Sequence, residues 1–394
     1  MSTSSKKFRN RLRAALDTEL AGSLLLIGCT LGALVLANSP AGSGYAALWQ
    51  LMLAGMTIEH WINDGLMAIF FLLIGLELEH ALYVGDLSKP KNALLPIVAA
   101  IGGMLTPALI HFALNAGTPT QAGIGIPMAT DIAFALGVLA MLGDRIPSSL
   151  RIFLAAVAVI DDLGAIVVIA VFYTAHVSLP YLAAALTVWG MLIVLDRLRV
   201  LALAPYAVGG AILWYLVLRS GVHATIAGVL LAFAIPFSSS NKTRAAPSPR
   251  LEHLLRRPVV LIVLPMFALA NTGVTIATDA SGTLFGANGA GIAAGLLIGK
   301  PLGITLFSVV AVAVGVCRLP PGVRWSHVVG ASMLGGIGFT MSIFIANLAF
   351  ADTRDIVNAS KLSILLASFA AGALGFAILR ALPRPRNTGA LRGH

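Results

Sequence analysis

The sequence predicts an all-α polytopic membrane protein of about twelve transmembrane helices with inverted-topology repeats, and three observations lead to the helices. Of its 394 residues, 58% are hydrophobic and 11% charged, where an average soluble domain carries roughly 25% charge. Apolar stretches of about 20 residues, long enough to cross a ~30 Å hydrocarbon core as a helix, recur along the chain. Lys and Arg collect in every second gap between those stretches, as cytoplasmic loops require.

The apolar runs fall near 21–37, 58–84, 93–115, 121–142, 150–173, 179–196, 203–218, 221–236, 257–274, 291–316, 326–350 and 356–381, spans 1 to 12. All but four of the 26 Lys and Arg residues lie in the N-terminal segment, in the gaps after spans 2, 4, 6, 8 and 10 or at the C-terminal end, counting Arg151, Arg257 and Arg380 at the very edges of spans 5, 9 and 12 with the adjoining polar segment. Arg219, Arg354 and Lys361 fall on the opposite side, and Lys300 lies inside span 10. Both termini are thus expected in the cytoplasm. Residues 1–20, MSTSSKKFRNRLRAALDTEL, read as a retained basic amphipathic segment near the lipid headgroups. Residues 21–381 read as a single transmembrane domain and 382–394 as a cytoplasmic tail. The longest polar stretch, 236–257, is too short to be a domain, and residues 38–57 show no strand-rich insertion.

Forty glycines suit close helix packing in lipid. The net charge of +10 is spread over short loops, which argues for membrane lipids and against nucleic acid as its partner. Cys29 and Cys317 lie in or at the ends of spans, so neither a disulfide framework nor a thiolate metal site is indicated.

Four charges stand where charge is expensive. Asp161 and Asp162 sit at the middle of span 5 and Asp131 near the middle of span 4. Lys300 lies three residues from the centre of span 10, about 4.5 Å at 1.5 Å per residue. A charge at that depth costs about 2.5 to 3.5 kcal/mol even on the lenient insertion scale, so such groups face the protein interior or a water-filled cavity. Three carboxylates against one ammonium leave an excess of two negative sites, suited to a small cation or to protons. Consecutive residues point about 100° apart on a helix. One of Asp161 and Asp162 can therefore pair with Lys300 while the other joins Asp131 in a cluster of hard oxygen ligands. Protons and a cation would then compete for the same carboxylates.

Two spans carry signs of interruption. Pro127 precedes Asp131 by four residues in GIPMATDIAFALG, removing a backbone donor and disfavouring helix in the residue before it. Thr130 would lie in the opened backbone. Span 11 contains GGIGFT, with Gly335, Gly336 and Gly338. Each interrupted span is the middle one of a triplet, 3–5 and 10–12, and these triplets start on opposite sides of the membrane.

The segments ATDIAFALGVLAMLGDR (129–145), IDDLGAIVVIAVFYT (160–174), SGVHATIAGV (220–229), LLIGKPLGI (296–304) and GGIGFTMSIFIANLAF (335–350) resemble the NhaA family of Na⁺/H⁺ antiporters, as do INDGLMAIFFLLIGLELE (62–79) and RLEHLL (250–255). The resemblance implies crossing of interrupted helices 4 and 11, and electrogenic, pH-regulated exchange of Na⁺ or Li⁺ for H⁺ by alternating access at the bacterial cytoplasmic membrane. Paired interrupted helices mark the ion site in secondary transporters, a rule for which this family is itself a source example. By motif, Asp162 matches the principal cation ligand, Asp161 the carboxylate paired with Lys300, Asp131 the acid at the helix break, and Thr130 its polar neighbour. Na⁺ would be held transiently by Asp162, Asp161 and Asp131. No cofactor is implied beyond the transported ions, and a homodimer is the implied assembly.

Glu77, Glu252 and His253 fall where the family has residues linked to pH activation. The chain departs from that pattern after Glu77, reading LEHAL, although His80 there would titrate near neutrality if unperturbed. His223 and Asp64 receive no assigned role. A membrane aspartyl protease would need a GxGD motif, which the chain lacks. A sodium-coupled solute symporter would need a second recognition group at mid-depth, and Lys300 is the only basic residue there.

Overall fold

The computed structural model describes residues 3–85, 88, 90–174, 177–237, 246–275 and 286–383. Helix α1 (Thr3–Ala37) and the short α2 (Gly42–Trp49) lead to an antiparallel hairpin of β1 (Met52–Leu53) and β2 (Met56–Thr57). Its turn residues Ala54 and Gly55 both have positive φ, the twist that two-residue hairpin turns require. Then follow α3 (Ile58–Tyr83), α4 (Pro90–Asn115), a 3-10 run (Gln121–Met128), α5 (Ile132–Met141), α6 (Ser148–Phe172), α7 (Leu179–Arg197) and α8 (Leu203–Ser220). The chain continues through α9 (Ile226–Ala232), α10 (Pro247–Thr272), α11 (Ala287–Ala313), α12 (Trp325–Gly335), α13 (Phe339–Ala349) and α14 (Arg354–Ala381).

Among the described residues, ten helical runs are long and apolar enough to cross a membrane, and α12 with α13 makes an eleventh, bent by 43°. The protein is an all-α polytopic membrane protein. Large apolar side chains of α7 such as Leu186, Met191 and Val194 point outward, which is tolerable only in a hydrocarbon solvent.

Three sequence expectations change. Residues 221–236 hold only the seven-residue α9, extended by i to i+3 turns at His223–Thr225 and Leu231–Ile235. Gly228 of α9 lies so close to α3 that a Cβ would overlap the Ala68 carbonyl. Helix α1 runs through residue 20 without a break, as a basic segment leading directly into the first span would. Helix α10 starts at Pro247, which places Glu252 and His253 on a helix instead of in a loop. The hairpin is the strand pair that residues 38–57 were not expected to contain. The C-terminal tail lies outside the described residues beyond 383.

The most extensive helix pair is α4 with α11. A Cβ on Gly102 or on Gly303 would collide with the other's carbonyl oxygen, so two backbones meet directly where no hydrophobic force pulls helices together. That approach fixes the depth of Lys300, three residues before Gly303. A π-helical turn at Gly295–Gly299 ends immediately before Lys300, and such turns re-aim side chains at functional sites.

Candidate functional site

The backbone opens at two places that face each other. After the 3-10 run that contains Pro127, Ala129 and Asp131 are extended (ψ 151° and 99°) before α5 begins. Between α12 and α13 the chain passes through Gly336, Ile337 and Gly338. Neither glycine has positive φ, so each is needed for room. A Cβ on Gly336 would overlap the Leu296 carbonyl, and one on Gly338 the Ser342 hydroxyl. Pro127 similarly packs where a Cβ on Gly295 would stand. The freed backbone groups satisfy one another. Asp131 N–H donates to the Ile337 carbonyl (2.7 Å) and Ser342 Oγ to that of Ile126 (2.6 Å), as a hydrocarbon environment demands.

Asp131 joins the two half-helices that leave this crossing. Its Oδ1 accepts from Phe134 N–H at the start of α5 (3.0 Å). Its Oδ2 accepts from the N–H (3.1 Å) and hydroxyl (2.6 Å) of Thr340 at the start of α13. One carboxylate thus caps two helix N-termini, where orphan donors and the helix dipoles both favour negative charge.

Asp161 on α6 takes the ammonium. Lys300 Nζ donates to Asp161 Oδ2 at 2.5 Å, and both side chains are wholly buried. Thr130 bridges the pair to the backbone break. It accepts a hydrogen bond from Lys300, and its own proton has two acceptors in reach, Asp161 Oδ2 (2.7 Å) and the Gly335 carbonyl (2.9 Å).

Asp162 is different. It is 1% exposed, yet neither Oδ1 nor Oδ2 has a hydrogen-bond partner among the described residues. Its electrostatic neighbours are Asp161, Asp131 and Lys300, with Glu77 further along. An ionised carboxylate left so in a protein interior is strongly unfavourable, so this is the position in the site that gains most from a proton or a cation.

The structure therefore brings Asp131, Thr130, Asp161, Asp162 and Lys300 into one region but does not gather the three acids into one ligand set. Among the described residues, no group of three His, Cys, Asp or Glu side chains could hold a metal ion. Of the three acids expected to share Na⁺, Asp131 is held here by Thr340 and Phe134, and Asp161 by Lys300 and Thr130.

The other candidates lie at the far end of α3. Glu77 pairs with Arg256 (2.9 Å) and His80 with Glu252 (2.7 Å), both linking α3 to α10. His253 is exposed on α10 and stands apart from these pairs. His223 Nε2 meets the Tyr173 carbonyl (2.9 Å), and Asp64 pairs with His60 (2.9 Å) at the hairpin end of α3. Sequence reasoning missed Thr340, although its hydroxyl follows the Gly338 break by two residues. It also missed Arg256, counted only as loop charge, and the Ser248 hydroxyl that donates to buried Glu79 (2.7 Å).

Comparison with known proteins gives the family. The Na⁺/H⁺ antiporter 1 family matches residues 13–379. The Na⁺/H⁺ antiporter NhaA of Dechloromonas aromatica is 62% identical over 360 residues, 91% of this chain and 92% of the relative. Na⁺/H⁺ antiporter NhaA 1 of Flavobacterium johnsoniae is 54% identical over 95% of this chain and 97% of its own. The NhaA of Cytophaga hutchinsonii is 52% identical over 93% and 94%. With a family match across nearly its whole length and relatives this similar, the chain belongs to the NhaA family of Na⁺/H⁺ antiporters, which are secondary transporters and not enzymes.

Proposed function

We propose that this protein exchanges Na⁺, and also Li⁺, for H⁺ across a bacterial cytoplasmic membrane, with Asp162 as the carboxylate that carries cation and proton in turn. The observation that carries the reading is the contrast among the three acids. Asp131 and Asp161 are neutralised or hydrogen-bonded by the protein, and Asp162 is buried with no hydrogen-bond partner among the described residues. A hard cation prefers carboxylate and hydroxyl oxygens, and Asp162 with its neighbours supplies them. Binding needs the deprotonated acid, so sodium and protons exclude each other, and apparent sodium affinity rises with pH.

The Lys300–Asp161 pair and the Thr340-capped Asp131 hold the crossing in register around Asp162. Because each half-helix ends on these groups, a change of charge at Asp162 bears on α5 and α13 together, which couples occupancy to alternating access. The two triplets, spans 3–5 and 10–12, act as inverted repeats around this crossing. Exchange is electrogenic, as the resemblance to the family implies. The Glu77–Arg256 and His80–Glu252 pairs between α3 and α10 carry the pH response at the cytoplasmic end. Both termini face the cytoplasm, the hairpin faces outward, and two copies form a homodimer in the lipid.

Inverted membrane vesicles from a host lacking its own antiporters test the reading. Addition of NaCl collapses a preformed proton gradient with the wild type at pH 8.5, and not with Asp162→Asn. No response from folded, inserted wild type at pH 7 or 8.5 overturns exchange and brings a sodium-coupled solute symporter forward.

A further inference from the structure

Three helices that meet between the site and the hairpin end each contribute one phenylalanine and one asparagine. They are Phe71 and Asn63 from α3, Phe267 and Asn271 from α10, and Phe344 and Asn347 from α13. The three rings are buried at 0%, 0% and 1% exposure. Phe344 lies between the other two, its ring centroid 5.7 Å from that of Phe71 and 6.3 Å from that of Phe267.

Directly beyond the rings Asn271 ties the three amides together. Asn271 Nδ2 donates to Asn63 Oδ1 (2.8 Å) and Asn347 Nδ2 donates to Asn271 Oδ1 (2.6 Å), with a longer bond from Asn63 Nδ2 to the same oxygen (3.4 Å). Asn271 is buried, whereas Asn63 and Asn347 line a cleft of about 450 Å³ with Glu59, His60 and Lys361. The layers are ordered along α13. Phe344 is four residues and Asn347 seven residues beyond Thr340, or about 6 Å and 10 Å at the helical rise. A path from Asp131 toward the hairpin end thus meets an apolar ring layer, then an amide layer, then a polar cleft.

We propose that these six side chains form the gate that closes the site toward the hairpin end and opens when α13 moves against α3 and α10. The proposal rests on the reading of the Asp131–Asp161–Asp162 region as the ion site. Three packed rings exclude water, and a hydrated cation does not cross an unwetted apolar constriction. The amides join the same three helices by uncharged hydrogen bonds. Facing the cleft, they exchange those bonds for water on opening, so the closed state is held without a charge to desolvate. Because Thr340 and Phe344 share α13, release of Thr340 from Asp131 and withdrawal of the ring are one movement.

The test uses the full chain with Cys29→Ala, Cys317→Ala and a reporter Ile74→Cys. Ile74 is 4% exposed and lies three residues deeper on α3 than Phe71. A membrane-impermeant cationic thiol reagent is applied to right-side-out and to inverted vesicles. Adding Phe344→Ala or Asn347→Ala speeds labelling roughly tenfold from the hairpin side alone, the closed population having lost packing or a latch. Unchanged rates, or equal acceleration from both sides, overturn the gate. Sodium exchange is measured on the same vesicles. One-sided acceleration without any sodium exchange in the parent chain keeps the gate and sinks the ion reading, and sodium exchange with unaltered labelling does the reverse. If the Phe344 variant does not fold, Asn63→Cys/Asn271→Cys joined by a short bifunctional thiol reagent replaces it. Transport then stops and returns on reduction, and full-rate transport while cross-linked overturns the gate.

Discussion

Lys300 and Asp161 form an ion pair at 2.5 Å in which neither side chain has any exposed surface. Asp162, the next residue on α6, has no partner for either oxygen among the described residues. Two adjacent acids are thus placed in opposite electrostatic situations by the 100° turn between them, and different consequences follow for each.

Removing the ammonium strands a buried charge. Lys300→Ala is expected to destabilise the folded protein by about 3–5 kcal/mol, the cost of breaking a buried pair from one side. Lys300→Ala/Asp161→Asn should recover much of that loss. Thermal unfolding in detergent at one pH and salt concentration reads both.

Asp162→Asn should behave in the opposite way. No hydrogen bond is lost, and a buried charge is removed, so stability at pH 8 is expected to stay within about 0.5 kcal/mol of wild type or to rise, while transport is abolished. A large loss of stability would mean that Asp162 has a structural partner.

Thr340→Val removes the hydroxyl that meets Asp131 Oδ2 and keeps the shape. The expected cost is about 1–3 kcal/mol, because a buried acceptor loses a donor. Thr340→Ser retains the bond and should stay near wild type in both melting temperature and exchange rate.

Gly303→Val should prevent α4 and α11 from meeting, since even a Cβ there overlaps the Gly102 carbonyl. Lost insertion or a collapsed size-exclusion profile is the expected readout. Gly190→Ala on α7, where nothing lies within 4 Å of the added carbon, serves as the control and should be neutral.

The fold was legible where lipid dictates composition, and less so where short segments depend on their neighbours. Apolar length places the long spans because hydrocarbon tolerates nothing else. α9 read as a full span because apolarity does not report how few residues are helical when turns on both sides continue the hydrogen bonding. Hairpin β1–β2 was invisible because two-residue strands carry no alternation to detect. Asp131, Asp161, Asp162 and Lys300 stood out because charges at mid-depth are costly. The division of roles between Asp161 and Asp162 did not follow from spacing, since either could face α11. It depends on the rotation of α6 against the Gly102–Gly303 contact. Thr340 escaped notice because a hydroxyl in an apolar span carries little cost, and its purpose appears only when the two breaks face each other. Arg256 was counted for topology, and its pairing with Glu77 needed α10 to begin at Pro247.

The central claim, that one carboxylate serves cation and proton alternately, is tested most directly by proton release from the purified protein in weak buffer on addition of NaCl, with sodium binding followed by calorimetry at pH 7 and 8.5. The expected result is stoichiometric proton release in wild type, sodium affinity that is higher at pH 8.5, and neither effect in Asp162→Asn. Proton release that persists in Asp162→Asn, or a sodium affinity independent of pH, would contradict it.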